Sequence, residues 1–150
     1  MGAAHRRKGR RHMKIAGKQK FLAQIDALPQ ALRTEIRKAL EQSAEETTDL
    51  MRRFAPVESG ALRASIGYSF GEAPKGALSS AARTVKAEAG LAVTLFAGGG
   101  KAFYARFQEF GTQEMSANPY FFPAYRLARK RVRARMARAM RNGAKKALGK

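Results

Sequence analysis

The chain has 150 residues, no cysteine and a formal net charge of +19. Its length suits one domain rather than two, and the lack of cysteine excludes disulfides and thiolate metal sites. The longest apolar run, residues 91–97, is far shorter than the roughly 20 residues of a membrane helix. The sequence therefore predicts a soluble protein. No membrane is expected among its partners, because the apolar face of the C-terminal helix is too small to insert well.

The positive charge is concentrated at the two ends of the chain. Residues 1–20 hold eight Lys and Arg residues and residues 124–150 hold eleven, with no acid in either block, whereas residues 21–123 hold eleven of each sign. A neutral body with two cationic ends indicates a polyanionic partner, most often nucleic acid and less often an acidic protein surface or a membrane. Solvated arms that only aid solubility are the alternative interpretation.

The first predicted element is a disordered basic arm over residues 1–17, which have no apolar period. A short helical segment is expected over 18–27. Apolar residues at helical spacing then predict a long helix over 30–54. Pro29 suits the first turn of this helix, and Pro56 ends it because the residue before a proline avoids the α region.

Short strands and turns are predicted after this helix. Ser59 can cap a turn through Leu62 and Arg63. The remaining predictions for this region are strands over 66–70, 84–89 and 91–97, a tight turn at Gly90 and a mobile loop over 71–82.

The C-terminal part of the sequence predicts two more helices. A short helix that stops at Gly111 is indicated by aromatic residues three or four apart: Phe103, Tyr104, Phe107 and Phe110. Pro123 opens a long final helix with an apolar stripe of Tyr125, Ala128, Val132, Met136 and Ala139. Asn142-Gly143 is a stop signal. We therefore expect the basic arm, a single domain over 18–141 and a frayed basic tail over 142–150.

No catalytic or metal-binding constellation is visible in the sequence. The run Gly98-Gly99-Gly100-Lys101 lacks phosphate-loop spacing, which needs Gly at Leu95 and Ser or Thr at Ala102, so it predicts a flexible strand-to-helix connection. Both histidines, His5 and His12, lie in the basic arm, where no Ser/His/Asp arrangement can be held. Ligand clusters of recognised metal spacing are lacking. We expect no enzyme, cofactor or metal.

The C-terminal region has two features, clustered aromatic residues and many arginines, that could contact nucleic acid or another protein. Eight of the thirteen Phe and Tyr residues fall within residues 103–125, and core packing is favoured over base stacking or contact with another subunit. The final helix carries many arginines, which suit salt-sensitive, sequence-independent phosphate contacts. Glu45, Glu46 and Asp49 are expected to form a solvated face. The residues expected to contact DNA or an acidic partner are Arg6, Arg7, Arg10, Arg11, Arg126, Arg129, Lys130, Arg133, Arg138 and Arg141.

Three short phrases stand out in the sequence. They are APVESGALRASI over residues 55–66, YARFQEFGT over 104–112 and NPYFFPA over 118–124. Their order and spacing resemble the putative tail-component family of long-tailed bacteriophages. Members of that family are small neck proteins, described as tail-completion or head–tail joining proteins.

The resemblance, together with the predicted elements, implies a fold and a function. The expected fold is one α+β domain in which long N-terminal and C-terminal helices pack on a small, mostly antiparallel β-sheet. The implied function is structural, without catalysis, in a ring of six copies at the head-proximal end of the tail. Its expected partners are other copies, the tail terminator, tail tube and head-connector proteins, and double-stranded DNA in the lumen. Such a protein is made in the host bacterial cytoplasm and resides in the virion. A stand-alone, sequence-independent nucleic-acid-binding protein is the alternative.

The motif residues of the three phrases are predicted to be architectural. Gly60 and Gly111 suit positions with φ > 0 or close backbone approach. Arg63 and Glu109 are expected to form an ion pair that ties the first phrase to the second. The full set of motif residues is Pro56, Glu58, Ser59, Gly60, Leu62, Arg63, Ser65, Tyr104, Glu109, Gly111, Thr112, Pro119 and Pro123.

Overall fold

Two long helices and a small sheet dominate the computed structural model, which describes residues 28–58, 60–80 and 91–149. The helices are α1 (Gln30–Phe54), α2 (Ala61–Ser65), α3 (Ala105–Phe110) and α4 (Phe121–Ala147), with a 3-10 turn at Gly100–Ala102. The strands are β1 (Gly67–Ser69), β2 (Leu78–Ser79) and β3 (Thr94–Ala97). This architecture confirms the predicted α+β class.

The helices α1 and α4 lie side by side and run in opposite directions. Near the start of α1, Glu35 contacts Lys146 close to the end of α4, and further along α1 Glu46 contacts Arg131. Small side chains let the two helices approach closely. The buried residues of α4 are Phe121, Ala124, Ala128, Ala139 and Gly143.

The three strands form an antiparallel sheet in the order β1-β3-β2. The central strand β3 pairs Leu95 with Tyr68 of β1 and Ala97 with Leu78 of β2. The sheet and the long helices enclose one hydrophobic core. Burial of each large apolar side chain in it contributes about 1.5–3 kcal/mol. The largest fully buried apolar side chains of that core are Met51, Ile66, Tyr120 and Phe121.

Several predicted boundaries are confirmed. The helix α1 has the bounds predicted for it, and α3 ends at Phe110, directly before Gly111, which has a φ of 76°. Pro123 lies in the first turn of α4, where a backbone N–H would have no intrahelical acceptor, so the proline costs the helix no hydrogen bond. β1 occupies the inner part of the strand predicted over 66–70, and β3 occupies the C-terminal four residues of the strand predicted over 91–97.

The predicted helix stop at Asn142-Gly143 is wrong, because α4 continues to Ala147. Gly143 is buried against α1, and a Cβ at this position would lie 2.6 Å from Leu32 Cδ1 and 2.8 Å from Leu32 Cα. The glycine therefore serves close packing of the two helices. Residues 142–147 are helical and do not form the frayed tail that was expected.

The loop predicted over residues 71–82 contains a strand. The two residues of β2 pair with β3, and Leu78 is buried in the core. Hydrogen bonds extend this pairing, because the Ser80 N–H donates to the Leu95 carbonyl and the Leu95 N–H donates to Ser80 Oγ. This part of the segment is therefore held in place by the sheet.

Other predictions concern residues outside the described ranges. They are the basic arm over 1–17 with Arg6, Arg7, Arg10 and Arg11, the helical segment over 18–27, the Ser59 cap, the strand over 84–89 and the turn at Gly90. Among the helices of the described ranges, none has both the length and the apolar character needed to cross a membrane.

Candidate functional site

The carboxylate of Glu109, in the second phrase, holds the first turn of α4. Glu109 is only 4% exposed. Its Oε2 accepts hydrogen bonds from the backbone N–H groups of Tyr120 and Phe121 at 2.8 Å, and its Oε1 accepts one from Phe122 at 3.0 Å. Pro123 comes next and has no N–H. The start of a helix leaves four backbone N–H positions without an intrahelical acceptor. Here three of these N–H groups donate to Glu109, and the proline occupies the fourth position. The carboxylate also places a negative charge at the positive end of the helix dipole.

The connection between α3 and α4 is also tied down. Gly111 leaves α3 with a positive φ, and a Cβ there would lie 2.8 Å from the Met115 carbonyl oxygen. Thr112 Oγ1 accepts the Met115 N–H at 3.1 Å, and the Asn118 N–H donates to the Gln108 carbonyl at 2.9 Å. The second and third phrases therefore form one joint between the two helices.

The first phrase forms a second joint, at the end of β3. Gly60, with a φ of 76°, precedes α2, and the side chain of Leu62 is buried in the core. Ser65 Oγ donates to the Leu62 carbonyl at 2.6 Å and accepts the Gly98 N–H at 2.9 Å. These contacts join α2 to the strand-to-helix connection after β3.

The ion pair expected between Arg63 and Glu109 is wrong. Arg63 Nε instead donates to the Ala55 carbonyl at 3.2 Å, which closes the turn between α1 and α2. Both oxygens of Glu109 are occupied by N–H groups of α4. The two phrases are therefore joined through the shared core rather than through a charge pair.

Tyr120, beside Glu109, is fully buried. Its hydroxyl donates to the Ala105 carbonyl at 3.4 Å. Burial raises the pKa of Tyr120, and the nearby charges of Glu109 and Tyr104 act in the same direction. Of the other motif residues, Pro56 and Tyr104 are half-buried, whereas Glu58, Thr112 and Pro119 are exposed.

Three phenylalanines in and next to α3 face solvent. Phe103 is 70% exposed, Phe107 is 46% exposed and Phe110 is 62% exposed. Their spacing of three or four residues places them on one side of the helical segment, and we call them the aromatic face. Core packing was predicted for the rings of this region, which is correct for Tyr120 and Phe121 and wrong for these three.

Acids of α1 neutralise three of the ten Lys and Arg residues of α4, a helix with no acid of its own. Glu46 lies 2.9 Å from Arg131 Nε and 2.6 Å from Arg135 Nη2, and Glu35 lies 2.6 Å from Lys146 Nζ. The hydrogen bond from Lys146 lowers the pKa of Glu35. Glu46 was expected on a solvated face, and that prediction is wrong.

Seven cations of α4 have no ion-pair partner within the described ranges, and all of them are exposed. At about 100° of rotation per residue, four of the seven lie within an arc of about 80° opposite the buried Ala128. We call these four the cationic face: Arg126, Lys130, Arg133 and Arg141. The other three, on the flanks of the helix, are Arg129, Arg138 and Lys145. The six α4 residues predicted to contact a polyanion are thus brought together on one exposed helix.

In the described part of the chain, no cluster of three or more His, Asp or Glu side chains could hold a metal ion. Asp49, beside the acids that neutralise α4, lies 2.9 Å from Arg52 Nη1 on the same helix. The acids of α1 are therefore engaged mainly with nearby cations rather than gathered into a site.

Residues 19–111 match the family model described as "Bacteriophage HK97-gp10, putative tail-component". The match includes all of the first phrase and the second phrase as far as Gly111, and it ends before the third phrase and α4. No curated protein and no solved structure matches the chain. Because the matched residues make up more than half of its length, the chain belongs to this family of bacteriophage tail components.

Proposed function

We propose that the chain is a structural protein of the neck of a phage or phage-like particle, where copies form a ring at the head-proximal end of the tail. As a tail component it is part of the virion and interacts with other virion proteins. The proposed ring has six copies, completes the tail and joins it to the head without catalysis. Its proposed neighbours are the tail terminator, tail tube and head-connector proteins, and it is made in the host bacterial cytoplasm.

The observation that carries the ring is the aromatic face. Each phenylalanine ring that a partner covers contributes up to about 1.5–3 kcal/mol, and aromatic side chains are enriched at the centre of protein interfaces. A surface with three such rings suits a lasting contact between subunits. In a ring this face meets a different surface of the next copy, because the same contact must repeat around one axis.

The occupant of the aromatic face is proposed to be a second copy of this chain. With a net charge of +19, two copies repel each other most strongly where α4 is exposed. The aromatic face carries little of that charge, since Arg106 is the single cation of α3. Copies are therefore expected to meet through α3 and to keep their cationic helices apart.

The joint at Glu109 supports this interface. Glu109, Phe107 and Phe110 belong to the same short helix, and the Phe110 ring lies 5.9 Å from that of Phe122 in α4. The contacts that hold the start of α4 therefore also hold the aromatic face in position relative to the body. A preorganised face loses less side-chain and backbone freedom when it binds.

The ring is tested by the mass of the full-length, nuclease-treated protein, measured by light scattering behind a sizing column at low and high salt. We expect one discrete oligomer under both conditions, because apolar contacts are not screened by salt. The double variant Phe103→Ser, Phe107→Ser is expected to be monomeric. Leu148→Ser is the matched control, since Leu148 is 75% exposed but lies beyond the far end of α4. An unchanged oligomer in the double variant, or absence of the chain from purified particles, would contradict the proposal.

The second candidate function is a stand-alone protein that coats nucleic acid independently of sequence. The observation that favours it is the set of seven exposed cations of α4 without acid partners in the described ranges. This candidate predicts a monomer that becomes heterogeneous in mass only when DNA is added back. A discrete oligomer in the absence of DNA would favour the ring instead.

A further inference from the structure

We infer that the cationic face of α4 binds the phosphate backbone of double-stranded DNA without reading base sequence. The face lies outside residues 19–111, so the family match does not bear on it. The inference also does not depend on the ring, because a single copy carries the complete face. A ring that ignores DNA would refute this inference and leave the proposed function intact.

The charge of α4 is neutralised on one side of the helix only. The acids Glu35 and Glu46 neutralise the side of the helix that faces α1, through Lys146, Arg131 and Arg135. The opposite side keeps its full charge. The helix is therefore cationic on its solvent side, and a polyanion is attracted to that side.

The four cations of the face are spaced along the helix axis. Arg126 and Arg141 are separated by about 23 Å along the helix axis, at 1.5 Å per residue. Lys130 and Arg133 lie between them, so the four charges are spread over a straight and rigid element rather than gathered at one point. A duplex presents phosphates at regular intervals over this distance, and a rod of spaced cations can neutralise several of them at once.

The side chains between the cations of the face are small. Interfaces with proteins place large apolar side chains at their centre, whereas the centre of this face, between Arg133 and Arg141, holds Ala137. The exposed large hydrophobic residues of α4, Tyr125, Leu127 and Met140, lie outside the arc of the face. Aromatic rings for stacking on single-stranded bases are not part of the face. The composition of the face therefore favours the backbone of a duplex over an acidic protein or a single strand.

The cationic surface extends on one flank to α1. A polar cleft of about 350 Å³ between the two helices is lined by Lys38 and Gln42 of α1 and by Arg138 and Asn142 of α4. Glu35 also lines this cleft, but Lys146 neutralises it. Two cations and two amides from different helices can thus contact phosphates beside the main face, which widens the surface available to a duplex.

The test compares two variants of equal charge in the full-length protein. One removes the cationic face (Arg126→Gln, Lys130→Gln, Arg133→Gln and Arg141→Gln). The matched control removes four exposed cations elsewhere (Arg53→Gln, Lys75→Gln, Lys101→Gln and Arg106→Gln). Both variants carry four fewer positive charges and keep the basic arm. Far-UV circular dichroism establishes that each variant is folded.

Binding is measured by fluorescence anisotropy, with labelled duplexes of two unrelated sequences and a single strand of equal length, over a series of KCl concentrations. We expect the face variant to bind both duplexes roughly 100-fold more weakly, with a slope of log affinity against log salt that is shallower by about 3–4. The control variant is expected to stay close to the original protein. Equal losses in the two variants would show attraction by net charge alone, and tighter binding of the single strand would exclude the duplex as the preferred partner. Either result, or unchanged binding by the face variant, overturns the inference.

Discussion

Replacement of Glu109 is expected to be the most damaging single change to the joint between α3 and α4. In Glu109→Ala, the N–H groups of Tyr120, Phe121 and Phe122 lose their acceptor in a buried environment. A hydrogen bond to a charged group contributes about 1.5–3 kcal/mol. Because the three bonds share one carboxylate and water can enter the space left behind, we expect a total loss of about 3–5 kcal/mol rather than the sum. Such a loss is a large part of the 5–15 kcal/mol by which a domain of this kind is typically stable.

The variant Glu109→Gln gives a finer test, because the side chain keeps its shape and one acceptor oxygen. That oxygen can still accept from Tyr120 and Phe121, whereas the new amide group faces the Phe122 N–H and the negative charge at the helix start is lost. We expect a destabilisation of about 1–3 kcal/mol. The matched control is Glu114→Gln, an exposed acid in the loop between the same two helices, with an expected change within about 0.5 kcal/mol.

Urea unfolding followed by circular dichroism at 222 nm measures all three variants, because α1 and α4 supply most of the helical signal. An unchanged dependence on urea concentration would show that the unfolding transition still involves the same surface. If Glu109→Gln is as stable as Glu114→Gln, the carboxylate does not hold α4. Equal stability would therefore refute a role of Glu109 in fixing the joint between α3 and α4.

Three further predictions concern packing, a half-buried hydroxyl and pH. Gly143→Ala should destabilise the fold by about 1–3 kcal/mol and so lower its thermal midpoint, because the new Cβ would meet the backbone of Leu32. This loss is expected even though alanine favours helix over glycine by about 1 kcal/mol. A rise in the thermal midpoint would contradict the close packing of the two helices. Ser65→Ala should cost about 1–2 kcal/mol in urea unfolding, since the Gly98 N–H loses its acceptor, and a change below about 0.5 kcal/mol would show that this bond is dispensable. Because the pKa of Tyr120 is raised above its ordinary value of 10.0, its contribution to stability is present below that pH and is lost as the pH rises towards the folded-state pKa. The free energy of unfolding of Tyr120→Phe, measured with urea from neutral to alkaline pH, should therefore fall less with rising pH than that of the original protein. Equal losses in the two proteins would show that Tyr120 is not the source of the alkaline destabilisation.

The parts of the fold that the sequence predicts are those with local signals. The bounds of α1 follow from one sustained apolar period and a proline near each end. Gly111 ends α3 because the chain must turn with a positive φ, which glycine adopts at little cost. Both features depend on residues that are close together in the sequence.

The errors arise where a local signal competes with distant contacts. Gly143 looks like a helix stop, but its missing side chain is required by Leu32 of another helix. The two residues of β2 are too few to show any alternation, so only their pairing with β3 reveals the strand. Glu46 resembles a solvated acid until Arg131 and Arg135 of α4 come within reach.

The role of Glu109 was missed because its partners are backbone groups, which leave no pattern in the sequence. One signal could have indicated it. The residue that precedes α4 is Tyr120, and no side chain of the Ser, Thr, Asp or Asn type caps this helix locally. A long helix whose start lacks such a cap and has a proline in its first turn requires an acceptor from elsewhere in the fold. An acid in the helix before α4 is the natural candidate for this acceptor, and Glu109 of α3 is such an acid.

The helix α4 has the mechanical properties of a lever that is clamped at two points. Its 27 residues extend about 40 Å, and a tilt of about 10° around one end would move the other end by about 7 Å. Glu109 grips the first turn, and the contact of Gly143 with Leu32 blocks motion near the far end. A force applied along the exposed side of the helix is therefore transmitted to the body as a whole. A partner that binds the exposed side of α4 would therefore orient the whole domain and not the helix alone.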